Sequence, residues 1–272
     1  MKLLKLLIDI LPLYVRTKIK HIPIIKQLQM YVFNSLYLNK EFNAKISAGP
    51  ANGLIFPIKL PQDKLMWLGT WELDFANQLV NFLTPKSIAY DIGGYKGYYS
   101  GVMALNGASE VFVFEPFPEN ANIINSMISL NKNLNIKLVE KAVSDKSETL
   151  NFNINSDNTM GKLQNSNFEN FSVNSSQLLV ETIKLDDFIE SGNPVPSLIK
   201  IDVEGAEEFV LKGAINLLEQ FKPTLFIEIH SNEIGIKCYE ILCKYYENIF
   251  VLETGKSPSF NEPEICSYIA YN

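Results

Sequence analysis

Ile88-Ala89-Tyr90-Asp91-Ile92-Gly93-Gly94-Tyr95-Lys96-Gly97 is answered, about twenty residues on, by Val111-Phe112-Val113-Phe114-Glu115. An apolar strand ends in an acid and a glycine turn, and a second apolar strand ends in another acid. Glycines remove the Cβ atoms that would keep a ligand off the backbone, and they permit positive φ in a tight turn. An acid closing the second strand is placed to accept both hydroxyls of a ribose. The two runs together describe a nucleoside site at the edge of a parallel sheet.

Spacing then separates two kinds of nucleoside. A dinucleotide loop reads G-x-G-x-x-G because its backbone wraps a pyrophosphate at a helix N-terminus. Here the glycines fall at 93, 94 and 97, and Asp91 sits two residues before the first. That acid would repel a pyrophosphate but suits a ligand with an ammonium and a sulfonium, as in S-adenosyl-L-methionine (SAM). A glycine turn by itself also serves plain steric needs; Glu115 adds the functional weight. Two other readings remain open: a nicotinamide-dependent oxidoreductase on a Rossmann-like sheet, and a catalytically silent binding module tethered by its N-terminus.

With 47% apolar and 20% charged residues, a chain of 272 residues can bury a substantial core. Cys238, Cys243 and Cys266 are too few for a disulfide framework and form no CxxC pair, so reduced thiols are expected. His21 and His230 are the only imidazoles, which excludes a multi-histidine metal site. The net charge of −6 is uneven: residues 1–45 hold eight Lys and Arg against Asp9 and Glu41, a balance of +6, leaving −12 elsewhere. An acidic body argues against a nucleic-acid partner, which would need a basic track over the phosphates. No stretch reaches the ~18 apolar residues of a membrane span. Met1 to Val15 faintly imitates a signal peptide, but Lys5 and Asp9 interrupt it and no small-residue cleavage site follows. A cytoplasmic protein is expected, with its basic end as the route to any membrane surface.

Residues 1–45 read as a basic amphipathic helical extension and residues 46–272 as the main domain. Leu3, Leu4, Leu7, Leu11, Tyr14 and Val15 recur at helical spacing, with Lys2, Lys5 and Arg16 off that stripe. Pro12 should break or kink this helix, and Pro23 should open a second through Ile24, Leu28 and Val32. In the first reading the stripe over residues 1–40 packs on the body or another subunit. In the second it rests peripherally on an anionic membrane.

Asn52-Gly53, between Lys45-Ile46-Ser47 and Leu54-Ile55-Phe56, signals a hairpin. A helix over 71–83 leads into the first sheet strand. Strands are then expected at 88–92, 111–115, 136–140, 198–203 and 224–229, with helices between them. An antiparallel pair, 248–253 and 265–271, closes the sheet around Lys256-Ser257-Pro258. This is an α/β architecture: a doubly wound, mostly parallel, seven-stranded sheet. Residues 155–177, rich in Asn and Ser, read as a long functional loop. With the N-terminal segment, they are where acceptor recognition is expected.

In open α/β sheets, ligands lie beyond the carboxyl ends of the strands. Asp91, Glu115, Asp202 and Glu228 close four expected strands, and Glu204 and His230 follow the last two. So many acids on one edge would repel one another without a cation among them. A sulfonium provides part of that charge. In Leu198-Ile199-Lys200-Ile201-Asp202-Val203-Glu204-Gly205-Ala206-Glu207, Lys200 and Asp202 alternate with apolar residues. Gly205 then permits a sharp exit into a helix carrying Phe209, Val210 and Leu211.

That segment, followed by Leu211-Lys212-Gly213-Ala214, resembles the signature of the FkbM-type family of SAM-dependent methyltransferases. Gly69-Thr70-Trp71-Glu72, the Asp91–Gly97 loop, Glu115-Pro116, Lys141-Ala142-Val143-Ser144-Asp145 and Pro223-Thr224-Leu225-Phe226-Ile227-Glu228-Ile229-His230 extend the resemblance over residues 69–231. It departs at Gly94, where alanine is frequent, and at Tyr95-Lys96 in place of asparagine and a small apolar residue.

The resemblance implies the class I methyltransferase fold, SAM as cofactor, and O-methylation of a small-molecule or glycan acceptor, often a sugar or natural-product hydroxyl. Together with the residue chemistry it puts cofactor contacts at Glu72, Asp91, Gly93, Gly94, Glu115, Pro116, Ala142 and Asp202. Methyl transfer is an in-line displacement, so an enzyme mainly holds the acceptor oxygen against the methyl. A base also removes the hydroxyl proton. His230, with an ordinary pKa of about 6.5, is one candidate; Asp202, Glu204 and Glu228 are others, and Asp202 can instead hold the ammonium. The catalytic candidates are thus His230, Asp202 and Glu204. No metal ligand is assigned: a divalent cation bridging Asp202 and Glu204 to a substrate diol has no support in the sequence.

Overall fold

The computed structural model describes residues 12–19, 40–154, 161–163, 176–259 and 266–272. Helix α1 (Leu13–Ile19) starts directly after Pro12, whose carbonyl accepts from the amides of Val15 and Arg16 at 2.9 and 3.1 Å. Arg16 is buried, and its guanidinium donates to Ser47 Oγ and the Leu68 carbonyl, both at 3.2 Å. The expected helices before Pro12 and from Pro23 lie outside the described residues. Strands β1 (Lys40–Lys45) and β2 (Ile55–Leu60) pair antiparallel. Their tip is longer than the two residues Asn52-Gly53: Ile46 N donates to Leu54 O at 2.8 Å, and residues 47–53 complete the turn.

Helices α2 (Lys64–Leu68) and α3 (Leu73–Asn81) then lead to β3 (Ile88–Ile92); α3 falls within the helix expected over 71–83, and α2 precedes it. Alternating β and α elements follow: α4 (Tyr98–Leu105), β4 (Glu110–Phe114), α5 (Pro118–Leu130) and β5 (Ile136–Val139). After an intervening small sheet come α6 (Leu185–Glu190), β10 (Leu198–Ile201), α7 (Glu207–Lys212), α8 (Ile215–Phe221), β11 (Thr224–Ile229), α9 (Asn232–Leu242), β12 (Asn248–Val251) and β13 (Cys266–Tyr271). Among the described residues the main sheet has seven strands in the order β12-β13-β11-β10-β3-β4-β5. Only β13 runs against its neighbours. This is the doubly wound, mostly parallel sheet expected.

Period-two alternation distributes each strand between two layers. Ala89, Val111, Val113, Leu198 and Phe226 face α2–α5 and the hairpin. Tyr90, Ile92, Phe112, Phe114, Ile199, Ile201 and Leu225 face α6–α9. The chain order reverses between β3 and β10, the place where such sheets open a ligand crevice. Asp91 and Lys200 are register partners across that junction. Strand β10 stops at Ile201, two residues short of expectation, because Glu204 and Gly205 adopt φ of 53° and 103° and turn the chain away.

The expected long loop over 155–177 needs correction. A second sheet, β6 (Ala142–Val143), β7 (Thr149–Ile154), β8 (Gly161–Leu163) and β9 (Ser176–Ile183), is ordered β6-β9-β7-β8. Apolar residues at Leu150, Phe152 and Ile154 alternate with asparagines, a strand signal that the polar composition masked. Leu150, Leu178 and Val180 pack on Val203, Ala206 and Phe209, which sets this sheet beside the crevice. Residues 155–160 and 164–175 of the expected loop lie outside the described residues.

Lys96 has a structural reason. Its ammonium reaches Asp63 Oδ1 at 2.6 Å with both side chains largely buried, and Asp63 Oδ2 accepts the Lys59 amide at 2.8 Å. The pair ties the glycine turn to the end of β2. Removing one member of a buried pair strands the other charge, so Asp63→Ala should cost about 3 kcal/mol in urea unfolding at unchanged slope. A cost under about 1 kcal/mol would mean the pair behaves as a solvated surface contact.

Candidate active site

The loop after β3 is shaped by a close approach. Gly93 has φ 75°, and a Cβ there would stand 1.9 Å from the Asp202 carbonyl oxygen. The turns after β3 and β10 therefore touch, which only glycine permits. The amides of Gly93 and Gly94 both donate to the Phe114 carbonyl at 3.0 Å. A Cβ on Gly94 would meet Val113 Cγ2 at 2.1 Å, so packing explains the departure from alanine.

Beyond the carboxyl ends of β3, β4, β10 and β11 lies a cavity of about 390 Å³, a size suited to a small molecule. Gly93 and Tyr95 form one part of its wall; Glu115, Pro116, Phe117 and Asn120 continue it from β4 into α5. Ala142 and Val143 come from the small sheet, Asp202, Val203, Glu204 and Ala206 from the turn after β10, and Glu228 from β11. Trp71 and Glu72, before α3, close the circuit.

Glu115 is nearly buried. Its Oε2 accepts the Tyr95 amide at 2.8 Å, and its Oε1 accepts the Phe117 amide at 2.9 Å and Asn120 Nδ2 at 3.3 Å. Tyr95 itself takes φ 50° to point its amide this way. Burial pushes the Glu115 carboxyl up to about 7, against the pull of these three donors and of Lys200. A carboxylate in this setting gains from any further donor that enters the cavity.

Lys200 is buried under the far end of the cavity. Its ammonium donates to the Gly93 carbonyl at 3.1 Å, lies 3.3 Å from Asp91 Oδ1 and from Asp202 Oδ2, and stands 5.4 Å over the Tyr99 ring. Burial opposes its charge, but Asp202, Asp91 and Glu228 outweigh burial and raise its pKa. Asp91 also accepts from Ser100 Oγ at 2.6 Å. Tyr99 donates to Glu72 Oε2 at 2.5 Å. Burial raises the Glu72 carboxyl, with Asp202 adding to the shift. Glu228 rises to about 7 for the same kinds of reason, burial first and then Asp202 and Glu72.

His230 lies just behind this ring of acids. Its Nδ1 is 2.7 Å from Glu207 Oε1, and its Nε2 is 3.7 Å from Asp202 Oδ1, 3.6 Å from Glu204 Oε2 and 4.0 Å from Glu228 Oε1. Burial pulls the imidazole pKa down, yet Glu207, Glu204 and Asp202 lift it to about 9. That shift, upward from the ordinary value taken from sequence, favours the charged form of the ring at neutral pH. One ligand-type atom each of Asp202, Glu228 and His230 falls within 4.8 Å of the others, close enough to surround a cation.

The family model for the FkbM methyltransferase domain matches residues 91–258. The chain belongs to that family. A hexuronic acid methyltransferase, AglP of Haloferax volcanii, is 26% identical over 161 residues, covering 59% of this chain and 63% of its own length. The FkbM methyltransferase structure from Methylobacillus flagellatus KT is 18% identical, with 75% of this chain and 52% of that one covered at a TM-score of 0.46. Precorrin-6y C5,15-methyltransferase from Geobacter metallireducens GS-15 is 13% identical, with 74% and 88% covered at a TM-score of 0.45. This chain thus spans under two thirds of the AglP and Methylobacillus chains.

Of the residues singled out in the sequence, Glu72, Gly93, Glu115, Pro116, Ala142, Asp202, Glu204 and Glu228 line the cavity, and His230 touches three of its acids. Asp91 and Gly94 do not. Asp91 points into the α4 layer toward Ser100 and Lys200, because on a strand it shares the face of Ala89. Its charge reaches the cavity only through Lys200. Sequence reading missed Glu207, Tyr99 and Asn120, and it noticed Lys200 without a role; each acts through a neighbour distant in the chain.

Glu115 makes a pH prediction. Its folded pKa stands above its unfolded one, so the native state binds the extra proton between pH 4.5 and 7 and this contribution to stability falls as pH rises. Glu115→Gln abolishes that titration. Relative to the parent, the variant should gain on the order of 3 kcal/mol between these limits. Unfolding midpoints of the two proteins that stay parallel from pH 4 to 8 would contradict it.

Proposed function

We propose that this chain transfers the methyl group of SAM to a hydroxyl oxygen of a sugar, glycan or related natural product. The observation that carries this reading is the polarity of one cavity. At one end Glu115 presents carboxylate oxygens held by Tyr95, Phe117 and Asn120, suited to a vicinal diol. At the other, Glu72, Asp202 and Glu228 concentrate negative charge, suited to an ammonium and a sulfonium. Apolar Phe114, Val143, Val203 and Ala206 lie in the same wall.

When bound, SAM supplies a methyl group activated by its positive sulfur. The protein's share is to hold cofactor and acceptor in line and to take up the hydroxyl proton. The AglP relative acts, by its name, on a hexuronic acid, which favours a sugar acceptor here. The charge of −12 beyond residue 45 disfavours a nucleic acid. Residues 1–40, with their basic excess, serve contact with a membrane surface or a subunit in this reading. No helix among the described residues is long and apolar enough to cross a membrane.

Calorimetry with SAM and its demethylated product tests the cofactor. Glu115→Ala removes two charge-assisted hydrogen bonds and should weaken binding roughly 100-fold or more; unchanged affinity would remove Glu115 from the site. Asp202→Asn should weaken binding and turnover together. The acceptor class is tested by incubating the protein with methyl-labelled SAM and a panel of neutral, amino and uronic sugars and their glycans. Label found only on protein or nucleic acid would overturn the sugar reading.

A further inference from the structure

Glu207, the first residue of α7, is fully buried. Its Oε1 accepts the Gly205 amide at 3.0 Å and lies 2.7 Å from His230 Nδ1. Its Oε2 is buried without a hydrogen-bond partner among the described residues. A carboxylate so placed is costly unless a cation stands beside it, and among the described residues His230 is the basic group paired with it. The imidazole is therefore held from both sides. Glu207 from α7 faces Nδ1, while Asp202 and Glu204 from the turn after β10 and Glu228 from β11 face Nε2. From α9, the nearby titratable groups are the buried Cys238 thiol, whose pKa burial and Glu207 raise, and Lys237, engaged by Glu233 and Glu208.

A general base must offer a lone pair to the proton it takes. Nδ1 is within hydrogen-bond distance of Glu207, and Nε2 faces three carboxylates at 3.6 to 4.0 Å, a field that favours a proton on each ring nitrogen. We propose that Glu207 is a positioning residue that holds His230 as an imidazolium with its Nε2–H turned to Asp202, Glu204 and Glu228, so that the acceptor's proton leaves to a carboxylate of that ring. This rests on the methyl-transfer reading above. As an O–C bond forms on the acceptor and an S–C bond breaks, the sulfur keeps the bonding pair and loses its charge. The hydroxyl proton passes to the carboxylate, which becomes a neutral acid and later yields the proton to solvent.

Glu228 is a better placed acceptor than Asp202 or Glu72. Asp202 is ion-paired with Lys200 at 3.3 Å, and Glu72 already receives the Tyr99 hydroxyl. Glu228 lines the cavity, and among the described residues its one ion pair is with His230 Nε2 at 4.0 Å. The fixed imidazolium prevents mutual repulsion from neutralising all the acids at once.

The chain has two histidines, so ring 15N and 13C resonances of the full-length protein can be assigned with His21→Gln and followed from pH 5 to 10. His230 should show both ring nitrogens protonated at pH 7 and should titrate near 9. Glu207→Gln should lower that midpoint by about one unit or more, and Glu207→Asp should restore part of the loss. A neutral His230 ring at pH 7 in the parent protein would overturn the proposal even if the variants fail to fold. So would displacement of its ring protons by added Mg²⁺ or Zn²⁺. Calorimetry with SAM separates the two readings: absent SAM binding with a protonated His230 overturns the methyl-transfer function and leaves the Glu207–His230 pairing standing.

Discussion

The buried ammonium of Lys200 is the constraint on which the site depends. It sits at the junction where the sheet reverses its order, and it joins the Gly93 carbonyl, Asp91 and Asp202. Without it, two adjacent parallel strands would bring Asp91 and Asp202 together in a low-dielectric interior, where like charges are expensive. With it, the turns after β3 and β10 can close until Gly93 leaves no room for a Cβ against the Asp202 carbonyl. Backbone sterics and one ion network thus specify the same geometry.

Charge balance then explains the perturbed groups as a set. Asp91, Glu72, Asp202, Glu204, Glu228 and Glu207 surround two cations, Lys200 and His230. Burial raises the Glu72 and Glu228 carboxyls and the neighbouring acids add to it, while Glu207, Glu204 and Asp202 lift the imidazole. Positive charge entering the cavity would relieve the same excess of carboxylates.

Strand positions in the main sheet were legible because apolar runs of four to six residues, each ended by an acid or a turn, leave few alternatives. The acids at strand ends were legible for the same reason: topology carries every parallel strand's carboxyl end to one edge. Direction along a strand was harder to use. Asp91 reads as an acid beside a glycine loop, but period-two alternation turns it into the helix layer. Glu207 looks in sequence like one more acid in a first helical turn. Only the packing of α7 against the end of β11 brings it to His230, 23 residues on. The imidazole's charge could not be read before that contact was known. The small sheet was missed because Asn and Ser outweighed a short alternation at Leu150, Phe152 and Ile154.

That small sheet divides the labour of the cavity. One wall comes from turns of the main sheet, locked by Gly93, Lys200 and the Glu115 hydrogen bonds. The opposite flank comes from Ala142 and Val143, with Leu150, Leu178 and Val180 pressed on Val203 and Ala206 by apolar contact alone. Apolar packing tolerates exchange of side chains of similar volume, whereas the ion network does not tolerate loss of a member. Change on the small-sheet flank can therefore reshape the cavity while leaving Lys200 and its partners in place.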